Sequence, residues 1–225
     1  MIVRRAFTYA LVRLVLDLLK SHRLRLAFVS VISGVLLMAG SAETQQLQGK
    51  ALVRALQRGG YVIVMRHASS PQSPPTREDA DPQNIHLERQ LDENGRTMAT
   101  AFGNALRRLK IPVGQVLSSP TYRALETARY AQLPTPMTVP ELGDNGRSMQ
   151  NTNESQSAWL QKRVTKFPRG SNTILITHQP NIAAAFPQWS KNLSDGEALI
   201  FGSDGKGRPK LVARVKIDEW AKLPT

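Results

Sequence analysis

Two apolar segments of the sequence lead directly into histidine. The run Tyr61–Met65 is followed by Arg66 and His67, and the run Thr173–Thr177 is followed by His178. Uninterrupted apolar runs of this length are typical of strands that are buried on both faces of a parallel sheet. Open α/β sheets bind their ligands just past the carboxyl ends of such strands. We therefore expect both histidines at one edge of a single sheet.

A third strand end supplies another basic side chain. The short segment Gln115–Leu117 predicts a strand, and Ser119-Pro120 follows it. Serine is a good N-cap and proline fits the first turn, so these residues predict a helix that begins there and runs to about Tyr130. Arg123 falls in its first turn, where free N–H groups favour anions. Arg123 should therefore reach the same edge as the two histidines.

Two guanidinium groups and two imidazoles around one point suit a phosphoryl group. Arg66 and Arg123 offer planar paired donors to phosphoryl oxygens. A neutral imidazole nitrogen is a capable nucleophile near pH 7. Phosphoryl transfer requires mainly positioning and charge stabilisation, which arginines can supply without a metal. A single histidine after a strand is more often structural, and a single arginine in a first helical turn is usually solvated. The hypothesis therefore depends on their joint appearance.

The remaining periodicities predict an α/β domain with a mostly parallel sheet, because strands alternate with helices. Residues 69–84 are rich in proline, serine and aspartate and predict a loop. Predicted helices span 45–58, 92–109 (with Asp92 as N-cap) and 153–167, and a hairpin of Ala198–Phe201 with Leu211–Val215 is expected at a sheet edge.

These motifs, in this order, resemble those of the histidine phosphatase (phosphoglycerate mutase-like) superfamily over roughly residues 50–218. Arg66-His67-Ala68 resembles the first motif, and Thr177-His178 resembles the third. The second motif is matched by Leu117-Ser118-Ser119-Pro120 with Arg123, Ala124, Glu126, Thr127 and Ala128, and the helix start between the first two by Leu91-Asp92-Glu93-Asn94-Gly95-Arg96.

The resemblance implies a three-layer αβα sandwich and a phosphatase that works through a phosphohistidine. His67 would be the nucleophile, and Arg66, Arg123 and His178 would form the phosphate pocket. The short chain looks more like the small phosphatase branch than like the mutases. The resemblance also implies a small phosphorylated substrate or a phosphoprotein as the partner, and no cofactor.

The acid that protonates the leaving group is not evident from the motifs. Glu141 stands where larger members of the superfamily often place it, Asp144 is an alternative, and small members can lack one. Exposed loop acids are common, so Glu141 could equally be a surface residue. Arg89 borders the loop that could cover the pocket, and Gln179 follows the second histidine; both are candidates for substrate binding.

Composition narrows the classes of function. The 225 residues contain no cysteine, which excludes disulfides, thiolate zinc sites and cysteine nucleophiles. The formal net charge of +13 suits anionic ligands. Nucleic acid is not the expected partner, because no aromatic platform or recognition motif accompanies the charge. A non-catalytic module that binds a phosphorylated ligand stays open as an alternative.

The N-terminal segment predicts export. An uncharged apolar run at 26–39 follows a basic stretch and precedes Gly40-Ser41-Ala42, the layout of a secretory signal cleaved after Ala42. About 14 apolar residues are short for a membrane span, and the long preceding stretch also fits an uncleaved anchor or a buried helix. We expect a signal or membrane tether at 1–42 and a phosphatase domain at 43–225. The domain would be periplasmic or anchored to the inner membrane facing the periplasm. This architecture also resembles that of phosphatases acting on lipopolysaccharide core sugars.

Overall fold

The two apolar runs pair with each other inside one sheet. The computed structural model describes residues 46–144 and 154–225, and these residues contribute six strands to the sheet. The strands are β1 Val62–Arg66, β2 Val113–Ser118, β3 Met137–Thr138, β4 Asn172–Thr177, β5 Ala198–Ser203 and β6 Pro209–Val215.

Five α-helices accompany the strands in the described ranges. They are α1 Gly49–Arg58, α2 Glu93–Arg108, α3 Tyr122–Tyr130, α4 Glu154–Arg163 and α5 Gln179–Ala185, with short 3₁₀ turns at Pro140–Leu142 and Trp220–Lys222.

The strand order is β3-β2-β4-β1-β5-β6. Strands β1, β2, β3 and β4 run parallel to one another, whereas β5 is antiparallel to β1 and to β6. Arg66 at the end of β1 is in register with Thr177 at the end of β4. The residues that follow, His67 and His178, therefore leave the sheet side by side, as the two apolar runs predicted.

The core has two parts, one on each face of the sheet. Alternate residues of β1 point to opposite faces: Ile63 packs in one cluster with Phe102 and Trp220, and Val64 packs in the other with Leu160. The first cluster includes residues of α1, α2 and α3, and the second includes residues of α4 and α5. The three-layer αβα architecture and the mostly parallel sheet are confirmed.

Several predicted elements are confirmed, and most differ only at their ends. Asp92 caps α2 by accepting a hydrogen bond from the Gly95 amide at 2.6 Å. The helix predicted over 45–58 begins at Gly49, and the one predicted over 153–167 ends at Arg163. The short strand β3 and helix α5 were not predicted; two residues are too few to show a period, and α5 spans under two turns.

One prediction about the elements is wrong. The helix after β2 begins at Tyr122 rather than at Ser119-Pro120, because Ser119 still donates its amide hydrogen to Ile176 O of β4 (2.8 Å). The predicted hairpin of β5 and β6 does lie at a sheet edge. Its outer strand β6 forms that edge, whereas β5 pairs with β1 and its first five residues are buried.

The predictions for residues 1–42 lie outside the described residues. Among the residues that the structure describes, none of the helices has the length and apolar character needed to cross a membrane.

Helix α2 begins in direct contact with the loop that follows His67. The Ser69 hydroxyl donates to Asp92 Oδ2 (2.6 Å), and Ser69 O accepts from the Asp92 amide (3.2 Å). The approach is so close that a Cβ at Gly95 would lie 2.1 Å from Ser69 O. Only glycine allows this packing, so the position of the loop after His67 depends on it.

We expect Gly95→Ala to destabilise the protein by about 1–3 kcal/mol, because the backbone of Ser69 must move. At a helix position without this contact, replacement of glycine by alanine would stabilise the protein by up to about 1 kcal/mol. The neighbouring exposed Asn94→Ala is the control and should not destabilise. Urea unfolding measures both, and a Gly95→Ala variant as stable as the wild type would contradict the packing argument.

Candidate active site

His67 is buried directly past β1, and its ring is held in one tautomer. Its Nδ1 lies 2.8 Å from Ala68 O, and a carbonyl can only accept, so Nδ1 carries the hydrogen. Nε2 accepts a hydrogen bond from Arg123 Nε at 3.2 Å. Nε2 therefore carries the lone pair, which is directed at the Arg123 guanidinium that lines the pocket.

His178 holds the opposite tautomer. Its Nδ1 lies 3.1 Å from Arg123 Nη2, which can only donate, so Nδ1 accepts. Its Nε2 then donates to the Ser119 hydroxyl at 2.8 Å. The two imidazoles stand edge to face with their centroids 5.2 Å apart. Arg123 thus contacts the unprotonated nitrogen of both rings.

Both imidazoles are neutral near pH 7. Burial, followed by the influence of His178 and Arg123, holds the pKa of His67 well below its ordinary value. Burial and the charge of Arg123 lower the pKa of His178 to about 2. A neutral ring keeps the lone pair that nucleophilic attack needs.

Arg123 is itself almost fully buried, and Asp144 forms an ion pair with its Nη2. Asp144 Oδ2 also lies 3.8 Å from His178 Nδ1. Because His178 is neutral, this second contact is not an ion pair. Asp144 therefore places a carboxylate inside the pocket, beside both the guanidinium and the second histidine.

Arg66 is held by the loop before β5. Its Nη1 donates to Leu193 O (3.1 Å), and its Nη2 pairs with Asp195 (2.7 Å). Its Nε is buried and has no hydrogen-bond partner among the described residues. An unsatisfied buried donor is costly, so a ligand oxygen that accepted from Nε would be stabilised.

Arg89 stands between the inner pocket and a wider outer cleft, and it lines both. Its Nε donates to Pro71 O (2.6 Å) and its Nη2 to Ser70 O (3.2 Å), which anchors the guanidinium on the loop after β1. Burial and the nearby Arg123 lower the pKa of Arg89. The outer cleft occupies about 660 Å³, including space open to solvent.

The structure brings together six of the seven predicted site residues. The inner pocket is lined by Arg66, His67, Arg89, Arg123, His178 and Gln179, together with Gln72, Asp144 and Pro180. Glu141 is not among the lining residues; it lies in the 3₁₀ turn Pro140–Leu142. Of the two acids considered from the sequence, the structure places Asp144 at the pocket.

Three contributors were not predicted: Gln72, Ser119 as the partner of His178, and Asp195 as the partner of Arg66. Gln72 and Asp195 lie on loops, where no periodicity points to a position in space. Ser119 belonged to a recognised motif but was interpreted as a helix cap. Nearby, Asn181 Nδ2 donates to Gly143 O at 2.9 Å and so holds the segment before Asp144.

The neutral histidines make the stability of the domain depend on pH. In the unfolded chain each imidazole binds a proton below a pH of about 6.5, whereas in the folded protein both stay neutral. The free energy of unfolding is therefore highest above that pH. Below it, each histidine lowers the free energy of unfolding by up to about 1.4 kcal/mol per pH unit, because the unfolded chain binds a proton that the folded protein does not.

We therefore expect urea unfolding between pH 7 and pH 5 to show a steep loss of stability. His67→Asn should reduce the slope by about one proton. His86→Gln, which removes an exposed histidine outside the pocket, serves as the control. Equal slopes for the two variants would contradict the assignment of His67 as neutral.

Among the described residues, no group of three or more histidine, aspartate or glutamate side chains is arranged to hold a metal ion. The inner pocket is instead lined by three arginines and one carboxylate. Such a set of donors suits a phosphoryl group or another compact anion.

Comparison with solved structures shows the same fold. The chain is similar to the protein histidine phosphatase SixA in complex with tungstate: 19% identity, a TM-score of 0.52, 71% of this chain and 98% of that chain covered. A phosphoserine phosphatase mutant from Entamoeba histolytica with phosphoserine is 13% identical, with a TM-score of 0.49 and coverage of 70% and 97%. No curated protein matches the chain significantly.

A family model described as histidine phosphatase superfamily (branch 1) matches residues 62–144. That range contains β1 with Arg66 and His67, the loop with Arg89, and helix α3 with Arg123. The second histidine follows β4, outside the matched range, and the structure brings it to 3.1 Å from Arg123. Residues 62–144 of the chain therefore match the histidine phosphatase superfamily.

Proposed function

We propose that this protein is a phosphatase that hydrolyses a phosphomonoester, or a phosphorylated protein side chain, through a phosphohistidine on His67. The observation that carries the proposal is the state of the His67 ring. Its Nδ1 is bonded to Ala68 O, and its Nε2 lone pair lies 3.2 Å from Arg123 Nε. A neutral, oriented nitrogen beside a guanidinium is what attack on phosphorus requires.

The charge of the pocket supports a phosphoryl ligand. Three arginines line it against one carboxylate, Asp144. Asp195, which pairs with Arg66, offsets a further charge, so the pocket keeps a net positive charge that favours a phosphoryl anion. The buried Nε of Arg66 lacks a partner in the described structure, and a phosphoryl oxygen would supply one.

The proposed reaction has two steps. In the first, His67 Nε2 attacks phosphorus, the bond from phosphorus to the ester oxygen breaks, and the alcohol leaves with a proton. In the second, water attacks phosphorus, the phosphorus–nitrogen bond breaks, and inorganic phosphate leaves. Arg66 and Arg123 stabilise the charge on the equatorial oxygens in both steps.

Asp144 is the carboxylate that we propose for proton transfer, rather than Glu141. It lines the pocket and contacts Arg123, whereas Glu141 does not line the pocket. As a carboxylate it can accept a proton from the attacking water in the second step. The leaving alcohol of the first step takes its proton from solvent through the outer cleft.

We expect His67→Ala to abolish turnover of an activated aryl phosphate while the domain stays folded, because the attacking nitrogen is gone. Wild-type protein quenched without acid during turnover should carry an acid-labile, base-stable phosphoryl group that the variant lacks. His86→Ala, at an exposed histidine, serves as the control and should keep full activity.

Two other outcomes would reject the proposal. If the His67→Ala variant carried as much phosphoryl label as the wild type, the phosphoryl group would be on a residue other than His67. A folded wild type that binds phosphate but shows neither turnover nor label would indicate a non-catalytic module that binds phosphorylated ligands.

We also propose that residues 1–42 direct export, with the phosphatase domain on the periplasmic side. The basic stretch, the apolar run at 26–39 and the small residues Gly40-Ser41-Ala42 support this proposal.

Expression of the full chain in a Gram-negative host, followed by fractionation and N-terminal sequencing, tests the export proposal. A mature protein that begins at Glu43 indicates a cleaved signal, and full-length protein in the inner membrane indicates an anchor. Full-length protein in the cytoplasm would contradict export.

A further inference from the structure

One buried hydroxyl connects the chain just past the nucleophile to the helix that carries Arg123. Thr127 Oγ1 accepts a hydrogen bond from the Ala68 amide at 3.0 Å and donates one to Arg123 O at 2.8 Å. Both Thr127 and Ala68 have no exposed surface. The contact spans 59 residues of sequence and joins the segment after β1 to α3.

The Ala68 end of this contact controls the orientation of the nucleophile. The Ala68 carbonyl accepts the hydrogen of His67 Nδ1 at 2.8 Å and so directs Nε2 into the pocket. The backbone of His67 is held as well: its amide donates to Thr177 O, and its carbonyl accepts from the Gly196 amide. The Thr127 hydroxyl adds the bond that holds Ala68 itself, and therefore the carbonyl that orients the ring.

The Arg123 end of the contact lies on the residue that binds both histidines. Arg123 Nε donates to His67 Nε2, and Nη2 lies 3.1 Å from His178 Nδ1. Displacement of α3 relative to β1 would change both distances at once. A loss of about 1 Å in the alignment of reacting groups can cost about 100-fold in rate.

We propose that Thr127 is a positioning residue that keeps the His67 ring aligned with the Arg123 guanidinium. This inference rests on the proposed phosphatase function. Thr127 does not line the pocket, so it acts through Ala68 and Arg123 rather than on the substrate.

Thr100 in α2 provides a matched comparison. Its hydroxyl donates to Arg96 O, four residues earlier, at 2.9 Å, as Thr127 donates to Arg123 O. In the described structure Thr100 makes no second hydrogen bond to a distant backbone amide. The local bond within a helix is a common arrangement for threonine and contributes little to a helix. The two positions share the local helix bond and differ in the contact with Ala68 and in burial, because Thr127 is fully buried and Thr100 is partly exposed.

The test uses the full chain with Thr127→Val, Thr127→Ser and Thr100→Val. Valine keeps the shape of threonine and removes the hydroxyl, whereas serine keeps the hydroxyl. For each folded variant we measure kcat and KM with an aryl phosphate, the rate of phosphohistidine formation, and the affinity for inorganic phosphate. Urea unfolding gives the folded fraction under the assay conditions, so that rates refer to folded protein.

We expect Thr127→Val to lower kcat and the rate of phosphohistidine formation by about 10- to 100-fold, because the nucleophile is misaligned. The affinity for phosphate should change by less than about threefold, since the arginine side chains remain. Thr127→Ser should restore the rate to within about threefold of the wild type, and Thr100→Val should match the wild type.

A spectroscopic readout separates positioning from a general loss of stability. In wild-type protein the ¹⁵N chemical shifts of His67 should show a single tautomer with the hydrogen on Nδ1, and Thr127→Val should show a mixture of tautomers. Unchanged kcat for folded Thr127→Val would overturn the inference, and so would failure of serine to restore the rate. If the wild type itself neither turns over nor becomes labelled, the proposed function fails instead.

Discussion

The pocket depends on one buried guanidinium that contacts the unprotonated nitrogen of two histidines. Arg123 donates to His67 through Nε and contacts His178 through Nη2, so each ring must present a lone pair. The hydrogens of the rings are then directed away from Arg123, to Ala68 O and to the Ser119 hydroxyl. A cation among buried rings also disfavours their protonation, which keeps His67 and His178 neutral.

The three arginines of the pocket need partners for their charges and N–H groups, and several loops of the fold supply them. Asp144 pairs with Arg123, Asp195 pairs with Arg66, and backbone carbonyls accept from Arg89. Each compensating group comes from a connection at the carboxyl end of the parallel strands. The order β3-β2-β4-β1-β5-β6 brings these connections together, although they are far apart along the chain. Ligands bind at this edge in α/β folds for the same reason.

The same interactions link stability to chemistry. Gly95 brings helix α2 against Ser69, two residues after His67, and Thr127 joins the segment after β1 to α3. These contacts are closely packed, so small displacements are costly. The inner pocket around His67 opens into the wider cleft lined by Glu88 and Arg89.

The sequence by itself determined the fold class and the centre of the pocket. Two apolar runs that end in histidine predict buried parallel strands, and strand ends in such sheets converge, so the residue pattern alone places His67, His178 and Arg123 together. Only the tertiary structure decided that Asp144, and not Glu141, lines the pocket. It also decided that the Ser119 hydroxyl accepts from His178 and that Asp195 pairs with Arg66. Those contacts depend on how irregular loops fold back over the sheet, and loops carry no periodic pattern from which a side chain's position can be predicted.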